Sequence, residues 1–196
     1  MDHFIYEEDG CVDESLCKTM IEMFEKEPNK EQGMIGSGID LNIKRSTDLY
    51  LGSKTLGDWK PILDKVGNCI SHSLFNYTKH IKDNGLDRDY LVESIIKMGS
   101  SVLPQIQKTD VGGFYRWHHD AVGNRAFTYI VYLNEVEEGC GGTTDFSNGK
   151  CVIPKTGKIL IFPANITYLH RGKLLEKGIK YILTGFLYDS QPHHNF

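Results

Sequence analysis

The sequence predicts a mainly β fold, a sandwich or jelly roll, with helices packed on its outer face. Three observations carry that reading. Apolar residues recur at helical spacing only in the first half of the chain. Short apolar or alternating segments dominate after Leu103. Clusters of Gly, Asn and Pro separate those segments at turn-like intervals.

The elements follow in order. Asp13 is placed to cap a helix through Leu16, Met20, Ile21 and Phe24, whose spacing makes an apolar stripe; it ends near Pro28-Asn29. Residues 30–55 are rich in Gly, Ser and charge and read as loop, with short strands at Asp40–Ile43 and Asp48–Leu51. A longer helix from about Trp59 buries Ile62, Leu63, Val66, Ile70, Leu74 and Tyr77, and stops at Asp83-Asn84-Gly85. Strands are then expected at Leu103–Lys108, Phe114–His119, Phe127–Leu133 and Thr143–Phe146, and at Lys158–Phe162, Thr167–His170 and Tyr181–Tyr188. No composition shift or linker divides the 196 residues, so one domain is expected over 1–196, with helical support over about 1–100 and a β core over about 103–189.

Composition narrows the function. A net charge of −4 gives no general attraction to phosphate backbones or anionic membranes, so nucleic acid is disfavoured as a partner. No apolar run approaches the roughly 18 residues of a membrane span. The acidic start Met1-Asp2-His3-Phe4 lacks the pattern of a signal peptide, and a cytoplasmic location is expected. The five cysteines are odd in number and form no CxxC pair, which argues for reduced thiols over a zinc site or disulfide framework.

The chemistry centres on Tyr115-Arg116-Trp117-His118-His119-Asp120. On one strand, His118 and Asp120 would share a face, because side chains alternate with period two. A further histidine, His170, ends the apolar segment beginning at Lys158, and Lys180 lies ten residues beyond it. Two imidazoles and a carboxylate can hold one face of an octahedral metal and leave three positions open, as in non-haem Fe(II) oxygenases. A buried lysine nearby could hold the acid group of a cosubstrate. Each piece alone is common; their order on a strand-rich background is the specific signal.

With Gly112–Asp120, Val131–Asn134, Gly141–Thr144, Leu160–Pro163, His170–Gly172 and Lys180–Thr184, residues 105–188 resemble the 2-oxoglutarate/Fe(II)-dependent oxygenases, in their prolyl 4-hydroxylase-like branch. The resemblance implies a double-stranded β-helix, with a short strand before the first helix. It implies a dioxygenase that hydroxylates a prolyl residue in a peptide or protein, consuming O2 and 2-oxoglutarate and releasing succinate and CO2, with ascorbate as an accessory. His118, Asp120 and His170 would be the iron ligands and catalytic centre. Lys180, Thr144 and Thr184 would hold 2-oxoglutarate. Tyr115, Arg125 and Phe186 would face the substrate. Thr109 stands where the prolyl hydroxylases usually carry a cosubstrate-binding tyrosine, and is assigned to the cosubstrate as a shorter replacement. Two alternatives stay open: an oxygenase for another amino acid, small metabolite or nucleobase, and a catalytically silent jelly-roll binding module. The oligomeric state is not determined by the sequence.

The remaining candidates have plainer readings. His119 should point away from its neighbours on the strand, in a structural or supporting role. Trp59 and Trp117 read as core or pocket-wall aromatics. Lys44-Arg45 reads as a solvated pair, or else as part of a glycine-hinged lid over residues 36–48. Arg171 should face away from the metal. Gly141-Gly142 reads as a tight turn or close backbone approach. His193 and His194 lie in a polar tail.

Overall fold

The computed structural model describes residues 2–52, 56–88, 90–98 and 104–189. Its helices are α1 (Glu14–Lys26), α2 (Leu56–Asp83) and α3 (Leu91–Lys97). Its strands are β1 (Tyr6–Glu8), β2 (Glu31–Gln32), β3 (Lys44–Arg45), β4 (Thr47–Tyr50), β5 (Gln105–Thr109) and β6 (Phe114–His118). They continue with β7 (Arg125–Tyr132), β8 (Thr144–Phe146), β9 (Cys151–Val152), β10 (Ile159–Pro163), β11 (His170–Gly172) and β12 (Lys180–Tyr188). Leu103, the expected first residue of the β core, and the tail histidines His193 and His194 lie outside the described residues.

Among the described residues the strands form two antiparallel sheets. The larger runs β1-β10-β7-β12-β5-β4-β2 and the smaller runs β3-β6-β11-β8-β9. Alternation sorts the larger sheet into two faces. Phe127, Tyr129, Val131, Ile159, Ile161, Leu183 and Leu187 meet Leu16, Met20 and Phe24 of α1 and Trp59, Val66, Ile70, Tyr77 and Ile81 of α2. This outer layer is the main core, and each fully buried large side chain in it contributes about 1.5–3 kcal/mol. The opposite face carries Ile130, Tyr132, Leu160 and Phe162, which pack with Phe146 and Val152 of the smaller sheet. Between the sheets the same face turns polar along β5, β7 and β12: Thr128, Lys180 and Thr184 are buried there, and Gln105, Gln107 and Thr109 project to the same side.

The expected helices form where the apolar stripes lie. Asp13 caps α1 as anticipated, its carboxylate accepting from the Leu16 N–H at 2.9 Å. The helix α2 begins before Trp59 and carries Pro61 within it. Three short elements, β2, β9 and α3, fall where no element was expected; they are too short for periodicity to register. Two expected strands are displaced. Asp40–Ile43 is a turn, because the Asp40 carboxylate accepts from the Asn42 N–H at 2.8 Å and its carbonyl accepts from the Ile43 and Lys44 N–H groups. Thr167–Leu169 is likewise outside β11, since Asn165 Oδ1 accepts from both the N–H and the hydroxyl of Thr167.

Candidate active site

The position of His118 depends on a bulge. β6 and β11 pair His118 with His170 and Tyr115 with Gly172, so three residue steps on β6 face two on β11. The extra residue reverses the alternation. Tyr115 and His118 therefore point to the same side, into the space between the sheets, while Arg116 and Trp117 are exposed. Trp117 is thus neither core nor pocket wall; it lies beneath the Arg171 guanidinium, 4.8 Å from its ring centre. Trp59 is fully buried, as expected. β6 ends at His118, so strand alternation does not hold Asp120 or turn His119 away. Asp120 is carried inward by the turn that follows, and His119 is exposed on the cavity rim, where its Nδ1 accepts from the Ala121 N–H.

His118, Asp120 and His170 converge, with one candidate ligand atom from each lying within 4.8 Å of the others. His118 Nε2 is 3.8 Å from Asp120 Oδ1, and His170 Nε2 is 3.5 Å from Asp120 Oδ2. Each imidazole is oriented from behind. His118 Nδ1 bonds the Arg116 carbonyl at 2.8 Å, and His170 Nδ1 bonds the Tyr168 carbonyl at 3.0 Å. A carbonyl can only accept, so Nδ1 carries the proton and Nε2 keeps its lone pair, the state that binds a metal. Burial, followed by the neighbouring His170, lowers the His118 pKa to about 4, which keeps its ring neutral at pH 7. The buried Thr128 hydroxyl donates to Asp120 Oδ2 at 2.7 Å and fixes the carboxylate. This donor set fits a divalent metal with open coordination positions.

These groups line a cavity of about 580 Å³ between the sheets. Lys180 lies in its wall, 5% exposed, and its ammonium donates to the Gly142 carbonyl at 2.8 Å. Burial lowers its pKa to about 8. No carboxylate hydrogen-bonds this ammonium among the described residues, so the wall fits an anionic group that could restore its charge. The turn that supplies the carbonyl needs glycine: Gly141 and Gly142 have φ of 76° and 69°, and a β-carbon on Gly141 would overlap the Leu174 carbonyl oxygen.

With this geometry in view, residues 104–188 match the model of the 2OG-Fe(II) oxygenase superfamily. That match spans 85 of the 196 residues. The chain is also 26% identical over 132 residues to a multifunctional procollagen lysine hydroxylase and glycosyltransferase of Caenorhabditis elegans; this covers 55% of the chain but only 17% of that relative. Among solved structures it is similar to a viral collagen prolyl hydroxylase from Paramecium Bursaria Chlorella virus-1, in a 2OG complex. The TM-score is 0.68 at 20% identity, covering 96% of this chain and 97% of that one. It is similar as well to a Trichoplax adhaerens prolyl hydroxylase in complex with a hypoxia inducible factor peptide fragment. There the TM-score is 0.71 at 14% identity, covering 96% and 84%. The shared fold is the double-stranded β-helix.

Within this fold the other expected site residues line the same cavity: Thr109, Tyr115, Arg125, Thr144, Thr184 and Phe186. Thr109 sits opposite Lys180 in the β5–β12 register. The Thr184 hydroxyl donates to the Tyr129 carbonyl at 3.0 Å, leaving its lone pairs to accept. Arg125 lies over Phe186, with the guanidinium carbon 3.6 Å from the ring centre. Tyr115 stacks on His118 at 3.6 Å and an interplanar angle of 17°. Arg171 turns away from the cluster, as expected, and pairs with Asp145 at 2.9 Å.

Two features were not foreseen. The buried Tyr132 hydroxyl donates to Thr144 Oγ1 at 2.7 Å, which turns the threonine proton outward; the Tyr132–Thr144 spacing carries no local signal for this. Lys44 is not a solvated residue. It is 3% exposed, lines the cavity and pairs with the fully buried Asp48 at 2.6 Å, whereas Arg45 is exposed. The sequence signal is the i,i+4 spacing of opposite charges, which brings side chains together predictably only on a helix, and residues 40–48 are not helical. Gly36 and Gly38 of the expected lid segment do border the cavity.

Proposed function

We propose that this protein is an Fe(II)- and 2-oxoglutarate-dependent dioxygenase that hydroxylates a prolyl residue in a peptide or protein. The observation that carries the reading is one cavity holding both the His118–Asp120–His170 cluster and the buried ammonium of Lys180. His118, Asp120 and His170 would hold the iron, each through the oxygen or nitrogen that its supporting hydrogen bond leaves free. Lys180, with Thr144, Thr184 and Thr109, would hold the distal carboxylate of 2-oxoglutarate. When bound, iron, 2-oxoglutarate and O2 supply the oxidising chemistry for hydroxylation of a C–H bond, with release of succinate and CO2. Tyr115, Arg125 and Phe186 would orient the substrate. Ascorbate as an accessory, a cytoplasmic location and the organisation of residues 1–196 as one catalytic domain belong to the same proposal. No helix among the described residues is long and apolar enough to cross a membrane.

The lysine hydroxylase relative favours a second reading, with lysine as the target. The cavity's charge favours proline. Asp120 is the one carboxylate lining it among the described residues, and the metal would engage that group. A lysyl ammonium would then enter without a partner, at a desolvation cost of several kcal/mol.

The test incubates the protein with Fe(II), 2-oxoglutarate and ascorbate against prolyl and lysyl peptides, measuring succinate and a mass gain of one oxygen atom. Prolyl hydroxylation that disappears in His170→Ala is expected. Oxygen on lysine would select the second reading. Equal background succinate from wild type and His170→Ala on every peptide, or on a small-molecule panel, would leave a non-catalytic binding module.

A further inference from the structure

The ion pair between Lys44 and Asp48 bridges the two sheets at the edge of the cavity. β3, which carries Lys44, pairs with β6 in the smaller sheet; β4, which carries Asp48, pairs with β5 in the larger one. Ser46 is the single residue between the two strands. Its hydroxyl donates to Asp48 Oδ1 at 2.7 Å, while the Lys44 ammonium donates to Oδ2 at 2.6 Å. Both ion-pair members are buried. Gly33 closes the cluster from outside: a β-carbon there would overlap Ser46 Oγ and lie 3.0 Å from Lys44 Cε. A residue with any side chain at position 33 would therefore force the cluster apart.

Lys44 also faces the metal cluster through one intermediary. It stands opposite Tyr115 in the β3–β6 register, with its ammonium 5.2 Å from the Tyr115 ring centre. The Tyr115 ring lies on His118. Apart from that stacking, the side-chain contact that sets the plane of the His118 ring from its own strand is the Nδ1 bond to the Arg116 carbonyl. One hydrogen bond permits rotation about its own axis; a stacked ring does not. A cation held over that ring by a buried carboxylate restrains it further.

We propose that Lys44 and Asp48 are positioning residues, a clamp that presses Tyr115 onto His118 and so aims His118 Nε2 at the metal. This inference rests on the reading of His118, Asp120 and His170 as metal ligands. It extends that reading to residues outside the ligand set and to the junction of the two sheets.

The test is a double-mutant cycle read by Mn(II) titration of the whole protein, independent of turnover. One arm replaces the clamp with Lys44→Met/Asp48→Asn, which leaves no unpaired buried charge; the other is Tyr115→Leu. Each arm should weaken Mn(II) binding on the order of fivefold, the scale of a partly buried cation–ring contact. Because both act through one ring, the combined variant should bind no worse than the weaker arm. Lys44→Arg, which keeps a cation over the ring, should stay within about twofold of wild type. Thermal unfolding is followed in parallel, since a merely structural clamp would lower Tm and leave Mn(II) affinity unchanged. Should the double substitution not fold, Asp48→Asn alone enters the same cycle under the same criterion. Wild-type Mn(II) affinity in the clamp variant, or effects that multiply in the combined variant, would overturn the clamp and leave the metal site standing. Failure of the wild type to bind Mn(II) any better than His170→Ala would overturn both.

Discussion

Replacing Lys180 with methionine should stabilise the protein while crippling it. The ammonium is buried, and its pKa falls from 10.5 to about 8. At about 1.4 kcal/mol per tenfold change, the charged form is disfavoured in the folded state by about 3 kcal/mol at pH 7. Methionine has similar bulk and no charge, so it removes that penalty. It also leaves the Gly142 carbonyl without its donor, which costs about 1 kcal/mol. The net expectation, with no cosubstrate present, is a variant about 2 kcal/mol more stable at pH 7. The sign follows from proton counting. Between about pH 8 and 10.5 the unfolded lysine holds a proton that the folded one has released, so wild-type stability gains on the variant as pH rises. Near pH 10 the residual penalty is below about 1 kcal/mol, and the two proteins should be indistinguishable. Urea unfolding of both at pH 7 and pH 10 measures this. In the same pair, 2-oxoglutarate affinity should fall roughly 30-fold or more, the equivalent of about 2 kcal/mol for a lost charge-assisted bond. A variant less stable than wild type at pH 7, or a stability difference independent of pH, would refute the account of Lys180 as a strained, anion-seeking cation.

Further expectations are narrower. Thr128→Val removes the donor to Asp120 Oδ2 and should weaken Mn(II) binding about tenfold, with little change in Tm. Because burial lowers the His118 pKa to about 4, its ring should stay neutral through pH 5.5 in the metal-free protein; an NMR titration of the His118 ring that shows a midpoint near 6.5 would contradict the burial argument. Gly141→Ala, at positive φ and against the Leu174 carbonyl, should cost at least about 2 kcal/mol in urea unfolding. Gly36→Ala, with open space around it, should change stability by no more than about 0.5 kcal/mol.

Much of the architecture could be read from residue order alone. The Leu16–Phe24 stripe and the Asp13 cap specify α1, because helix geometry is local. The alternating segments along β7, β10 and β12 specify strands with one face toward the helices. The clustering of His118, Asp120, His170 and Lys180 was also legible, through the order and spacing of the motifs that carry them. Local polar competition was harder to see: Asp40 and Asn165 fold their side chains onto nearby N–H groups, and the strands expected beside them yield to turns.

What the tertiary structure alone decided lies in register and burial. The expectation that His118 and Asp120 share a strand face was right about their meeting and wrong about its cause. A bulge in β6 sets the phase of Tyr115 and His118, and a turn beyond the strand delivers Asp120. A bulge arises from how two strands distant in sequence pair, so no local pattern announces it. Lys44 shows the same limit. A lysine in a glycine-rich loop reads as solvated until the crossing from one sheet to the other brings Asp48, Tyr115 and Gly33 around it. Sequence by itself determined which groups could do chemistry here, because side-chain type and order are written in it. Which way those groups face, and which charges lose their water, depends on contacts between segments that only the folded chain brings together.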